Sequence, residues 1–532
     1  MSWAEIVPAF LVALVVVLGP GLLWGTALGL RRLTLLTLAG PFSITAVVLS
    51  AEAAALTGVD WSLLPVTRYP LPVTAMTVSV AFMLWFVRRT FGHRLRYRTP
   101  TVTPAASWRI ALTSWAVSAV PIAAVMIWIF GVPENIAQSH DNIFHLNALR
   151  YISDTSNSSS LTLGYLGTRE GTFYPAGWYA VVSLVIATAG IPLTAAINVT
   201  NVVLITEIWS LGCLYLGSRV TGERTLPLLV AAVLSTAYSS FPYLLLEFGV
   251  VYPFMLSIAI LPAALGLVIQ LVGAGTPAPH RPVVSALLLT GLMPGLLLAH
   301  PSSLLGLLAL AAPAVLAVAY GRARSGSGRR RLTALGGGAA FLFVSALLWL
   351  TVRPARSGAD NWAEMGDAGD AVTEVLFHNP LGRPVAILVT VLTAVGAAVV
   401  LYLRSHRWVI PMYLVAAALF VIGNWQQAPD LRWIVAGAWY TDYFRISAML
   451  PVGGILVASV GGVALAASAL TRLRQLRSKR GTQEPSWYPP VVAALLVLAG
   501  LAAAPLFAVQ RGISEAAFQY RYTDDSRLLT SD

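Results

Sequence analysis

Apolar runs of 17 to 25 residues recur along the chain, separated by short polar stretches that are mostly basic. A helix that crosses a membrane needs roughly 20 apolar residues at a rise of 1.5 Å each. By that measure the pattern predicts spans near residues 5–27, 33–56, 69–87, 109–131, 193–217, 226–246 and 253–273. It predicts seven more near 283–299, 303–320, 333–352, 385–403, 408–424, 446–470 and 488–509. The expected fold class is therefore all-α: a polytopic integral membrane protein with about 14 transmembrane helices. The stretch from Ser139 to Trp178 is the longest polar interval in the first half of the chain. It contains a helical pattern from Asp141 to Ser153.

Basic residues test this count. Assigning alternate loops to one side gathers Arg31, Arg32, Arg88, Arg89, Arg219, Arg224, the arginines of 322–331, Arg404, Arg407 and the run from Arg472 to Arg480. Glu223 and Glu484 are the only carboxylates that fall with them. The positive-inside rule makes that side cytoplasmic. In a plasma (inner) membrane, both termini and the Ser139–Trp178 loop then lie outside. Residues 173–190 are apolar enough to be another span, but counting them as one would invert every later loop. They are read instead as an amphipathic or partly embedded helix on the outer face. Residues 3–27 lack the basic flank and cleavage site of a signal peptide. Three segments follow: a three-span segment 1–108, a core 109–450 with the outer loop 132–192, and C-terminal spans with an outer tail over 451–532.

Composition agrees, at 57% hydrophobic and 11% charged residues with mean hydropathy +0.75; soluble domains carry roughly 25% charge. The net charge of +12 follows from loop arginines. Without basic–aromatic interleaving, a nucleic-acid partner is not expected. Cys213, the single cysteine, sits in an apolar run and excludes a disulfide or thiolate framework.

Chemistry concentrates on the outer side. Asp141 and His145 are spaced i, i+4 and share one helix face, with His140 adjacent. A carboxylate beside imidazoles suits a general base, a metal ligand or a helix N-cap. Arg150, Arg169 and Arg445 could hold a phosphate through bidentate hydrogen bonds or serve as interface arginines, with Asp442 the obvious partner of Arg445. Glu247 and His300 fall at outer ends of spans, where both could line one cavity; Glu52 and Glu207 lie within spans, where ionisable groups are costly. Tyr174, Trp178, Trp362, Trp425, Trp433, Trp439 and Tyr440 fit an interfacial aromatic belt in which one or two could stack on a sugar.

Together, Asp141 in SHDNIFH, the FYPAGW helix start and the following INVTNVVLITEIWSLGCLYLGSR span resemble the GT-C superfamily of membrane glycosyltransferases. FYPAGW, YPF, AHPSS and WYTDYFR are similar to elements of an actinobacterial multi-pass membrane protein family within that group. The resemblance covers about residues 109–450. It departs from the group's usual pattern in placing three spans before the acidic loop and in pairing Asp141 with Asn142 rather than a second acid. It implies an inverting transfer of sugar from a polyprenyl-phosphate donor to a cell-envelope glycan or lipid acceptor on the outer face, with Asp141 as general base. His140, His145, Arg150, Tyr174, Trp178, Glu247, His300, Tyr440, Asp442 and Arg445 would bind substrate among membrane lipids. No cofactor is assigned, and a divalent cation stays open. The alternative is a transporter or flippase of a lipid-linked envelope precursor.

Overall fold

Inside lipid, every backbone N–H and C=O has to be satisfied within its own segment, so apolar runs of this kind become helices. The computed structural model describes residues 1–62, 72–95, 106–166, 173–277, 281–353, 368–425, 427–478 and 510–530. Among these there are helices and no strands. The predicted span 488–509, Arg169 and Trp362 lie outside the described residues.

The N-terminal half comprises α1 (Val7–Leu28), α2 (Arg32–Thr57), α3 (Pro72–Leu95), α4 (Trp108–Phe130), α5 (His140–Thr155), α6 (Gly177–Ala189), α7 (Leu193–Leu204), α8 (Ser210–Thr221), α9 (Thr225–Ser235) and α10 (Tyr243–Glu247). The rest comprises α11 (Tyr252–Val272), α12 (Pro282–Ala299), α13 (Ser302–Ser325), α14 (Gly328–Thr351), α15 (Ala368–Phe377), α16 (Ile387–Leu403), α17 (Val409–Gly423), α18 (Pro429–Ala436), α19 (Tyr443–Ser447), α20 (Leu450–Ser478) and α21 (Gln510–Gln519). Among the described residues, nine helical stretches are long and apolar enough to cross a membrane. This suits a multi-pass membrane protein.

The most apolar stretches differ in what surrounds them. The continuous rod Leu193–Thr221, α7 and α8 joined by a π turn at Ile205–Trp209, is 100% buried over its most apolar window, whereas that of Gly328–Thr351 is 6% buried. The first is the bundle's axis; the second faces outward nearly all round. Since lipid tails are as apolar as leucine, helices in a membrane associate through close packing of small residues rather than the hydrophobic effect. The crossing of α16 and α20 illustrates this: a Cβ at Gly396 would lie 1.9 Å from the Val457 carbonyl oxygen, and one at Gly461 would lie 2.0 Å from that of Leu392. Buried apolar residues from Ile6 to Tyr520 form a single core, so the three sequence segments share one bundle.

Two expectations need correction. The run 226–246 is not one helix: α9 stops at Ser235, and turns lead to the five-residue α10. Of the two readings of residues 173–190, amphipathic or partly embedded, the amphipathic one fails, and the helix is enclosed by the bundle rather than laid on its face. Gly177 to Val185 of α6 are buried on all faces, and α6 packs against α1, α2, α5, α7, α11 and α12. At 13 residues it is also too short to cross a membrane alone.

Hydrogen bonds fix the two ends of the bundle. At one end Arg88 donates to the Thr26 and Ala27 carbonyls, Arg322 to Val272, Trp408 to Ala274, and the Thr276 amide to Arg219. The opposite end holds the 132–192 segment. There the Glu52 carboxylate accepts from the Ser159 hydroxyl and the Ser160 amide, and the Trp61 indole donates to Ser183. The chain's last described residues also dock here. The Tyr252 and Tyr520 hydroxyls lie 2.8 Å apart, and the Leu528 and Leu529 amides donate to Gln138.

Candidate functional site

At this second end, four helices begin around one cavity of about 590 Å³. Its walls include Asp141 from the start of α5, Phe173 to Pro175 leading into α6, Val251, Pro253 and Phe254 opening α11, and His300 to Ser302 opening α13. Tyr440 and Arg445 complete the rim. Helix N-termini present unpaired N–H groups and a partial positive charge, so their convergence beside an arginine favours an anion.

Asp141 is the second residue of α5 and not its cap. Ser139 occupies the N-cap position, without a side-chain capping bond, and its hydroxyl is unpaired among the described residues. Burial pushes the Asp141 carboxyl above its ordinary pKa, and the charges of Arg445 and His140 pull it part of the way back. The carboxylate has space because Gly249 faces it: a Cβ there would lie 2.8 Å from Asp141 Oδ2. Gly249 and Val250 both have left-handed backbones, at φ 63° and 48°. For a β-branched residue that is a genuine outlier.

His145 holds this corner. Its Nε2 lies 2.9 Å from the Val250 carbonyl, which can only accept, so Nε2 carries the hydrogen. Nδ1 then accepts from the Tyr179 hydroxyl at 2.7 Å. Burial lowers the His145 pKa to about 4, consistent with this neutral tautomer. The ring lines the cavity, but both nitrogens are committed to protein partners, which leaves none for a substrate or metal. Tyr174 stands in front, its hydroxyl 3.5 Å from that of Tyr179 and its pKa raised chiefly by burial.

On the facing rim, Asp442 caps α19 by accepting from the Phe444 and Arg445 amides at 2.8 and 3.4 Å. It is fully buried, which pushes its pKa up to about 6 against the opposing pull of Arg445. Arg445 Nε lies 3.2 Å from Asp442 Oδ2, yet neither atom has an aligned hydrogen bond among the described residues. The guanidinium carbon sits 4.9 Å from the Tyr440 ring centre, within cation–π range. His300 bonds through Nδ1 to the Ser302 hydroxyl at 2.8 Å, and burial, aided by Arg445, lowers its pKa to about 3. His300 is thus a neutral hydrogen-bonding group.

The cavity brings together Asp141, His145, Tyr174, His300, Tyr440 and Arg445 from the residues anticipated in the sequence. Others are elsewhere. Arg150 is exposed and pairs with Asp154 at 2.9 Å. Glu247 does not line the cavity with His300; it pairs with buried Arg383, which also reaches Glu515 at 2.6 Å. Trp178 is fully buried behind the wall, bonded to Asn201 at 2.8 Å and stacked on Tyr252, so it is neither a belt residue nor a sugar platform. Trp433 and Trp439 are likewise buried. His140 is exposed beside Asp141 and acts on it by charge. Asp442 acts from behind Arg445. Sequence reasoning missed Gly249, Tyr179 and Arg432; the FGVVYP glycine alone carried a readable signal, as a turn residue. Among the described residues no three His, Cys, Asp or Glu side chains form a metal-binding group.

A protein family described as "Family of unknown function (DUF6541)" matches residues 14–532. No curated protein matches the chain.

Proposed function

The chain belongs to the DUF6541 family, and we propose that it is a membrane glycosyltransferase that moves a sugar from a polyprenyl-phosphate donor to a glycan or lipid acceptor at the outer face of the plasma membrane. The observation that carries this reading is the placement of Asp141 and Arg445 on one cavity at the meeting of four helix N-termini. The volume, about 590 Å³, is within the ordinary range of small-molecule sites. The likeness to GT-C enzymes noted in the sequence points the same way.

In the proposed reaction, Asp141 takes the proton of an acceptor hydroxyl as that oxygen attacks the anomeric carbon. The bond from that carbon to the donor's phosphate oxygen breaks on the opposite face, its electron pair leaves with the lipid phosphate, and the configuration inverts. Charge builds on the departing phosphate as the sugar becomes oxocarbenium-like. Arg445 and the amides of Phe254 and Ser302, the first turns of α11 and α13 on the cavity wall, meet that charge. Neutral His300 contributes a hydrogen bond rather than a cation, and Arg150 is too remote to take part. The raised Asp141 pKa strengthens it as a base while Arg445 keeps it ionisable.

The test is transfer in proteoliposomes supplied with polyprenyl-phosphate pentoses and hexoses. We predict that Asp141→Asn abolishes transfer while the protein remains monodisperse; an active Asn variant would remove Asp141 from the mechanism. The flippase reading draws on one observation, the buried Glu207 inside the π turn of the central rod. Lipid translocation that survives Asp141→Asn but is lost in Glu207→Gln would favour it.

A further inference from the structure

We infer that Arg432 is a positioning residue that holds the anion-binding rim of the cavity in shape by clamping the Tyr440–Thr441 turn. This rests on reading Tyr440 and Arg445 as that rim. Tyr440 and Thr441 are consecutive non-glycine residues in left-handed conformation, at φ 60° and 55°. Left-handed backbone is disfavoured for L-residues, because Cβ approaches the following carbonyl oxygen, and it persists only where surrounding structure imposes it. Local bonds contribute: the Thr441 amide donates to Ala436, the Asp442 amide to Trp439, and the Thr441 hydroxyl to Tyr440.

A guanidinium from the preceding helix adds a restraint. Arg432, buried on α18, donates through Nε to the Gly423 carbonyl at 2.6 Å and through Nη2 to the Thr441 carbonyl at 3.0 Å. Gly423 ends α17, so the fork ties the turn to the end of a long helix. A rigid planar donor suits two carbonyls on separate elements, as a flexible ammonium would not. The position of this turn sets the Tyr440 ring under the Arg445 guanidinium and the Asp442 cap beneath its Nε. The opposite rim repeats the device, with His145 donating to Val250, the second residue of the Gly249–Val250 left-handed pair.

The experiment compares wild type, Arg432→Gln, Thr441→Gly and the double variant in nanodiscs, with a polyprenyl monophosphate as probe. Glycine adopts a left-handed backbone at no steric cost, so Thr441→Gly removes the strain that the clamp opposes. We expect Arg432→Gln to weaken binding at least about tenfold and the double variant to recover to within about threefold of wild type. Hydrogen exchange gives a ligand-free reading: the Thr441 and Asp442 amides should exchange faster in Arg432→Gln and return towards wild type in the double variant. Unchanged exchange in Arg432→Gln, or a double variant no better than the single, overturns the inference. If the amides respond as expected while neither Arg432→Gln nor Arg445→Gln changes probe binding, the clamp stands and the functional reading of the rim falls. Should Arg432→Gln not fold, Arg432→Lys, which keeps the charge and loses the fork, takes its place in the same comparison.

Discussion

Asp141 of α5 and Arg445 of α19 are 304 residues apart in the sequence (445 − 141), yet the arginine's charge helps to set how readily the carboxyl ionises. Burial raises the Asp141 pKa and Arg445 lowers it, so removing the cation must raise it further. A base works only when ionised. We therefore predict that the acid limb of the pH–rate profile moves to higher pH in Arg445→Gln and stays near its original place in Arg445→Lys. A limb that does not move, in a variant with measurable transfer, would separate Arg445 from Asp141 electrostatically. Several of these residues were legible because ionisable side chains are scarce in an apolar chain: Asp141, His145, His300 and Arg445 stand out on composition alone. Arg432 was not legible. In QQAPDLRW it reads as an ordinary interfacial arginine, and its role depends on the fold bringing together two carbonyls that lie nine residues to either side of it. Trp178 and Glu247 were misread for a related reason, since hydropathy reports what a residue is and not what packs around it.

At the scale of elements, most predicted spans correspond to helices, and the failures share a cause. A window average cannot distinguish an apolar helix that faces lipid from one enclosed by protein, and the loop alternation that keeps 173–190 from counting as a span does not reveal that α6 is enclosed by other helices. Nor does it register that an apolar run can turn, as between α9 and α10. The short α10 owes its place to the ion cluster at its end, where buried Arg383 bridges Glu247 and Glu515 of α21. Removing Arg383 leaves Glu247 without its ion-pair partner while Glu515 keeps Arg511. Breaking a fully buried pair costs about 3–5 kcal/mol, and solvent at the partly exposed Glu247 lowers that figure here. Arg383→Met should therefore lower thermal stability in detergent sharply, and Arg383→Met with Glu247→Met should recover part of the loss. Equal stability of wild type and Arg383→Met would show the cluster to be dispensable.

For the molecule as a whole, the positive-inside argument gives each end of the bundle a side. The end with Arg88, Arg219 and Arg322 is opposite the cavity, and the positive-inside expectation makes it the cytoplasmic one. Cys213 is fully buried, so the chain has an unreactive background for labelling. We predict that an impermeant maleimide labels Tyr165→Cys in intact cells and reaches Ser325→Cys only after permeabilisation. The reverse pattern would put the cavity in the cytoplasm. The docking of residues 510–530 against Gln138 and Tyr252 sets a schedule as well as a shape. Among the described residues, every polar group lining the cavity is synthesised by residue 445, whereas the hydroxyl that meets Tyr252 behind the wall belongs to Tyr520. A stop codon just before Tyr520 would therefore leave the reactive groups in place while removing the Tyr252–Tyr520 and Gln138 contacts behind them.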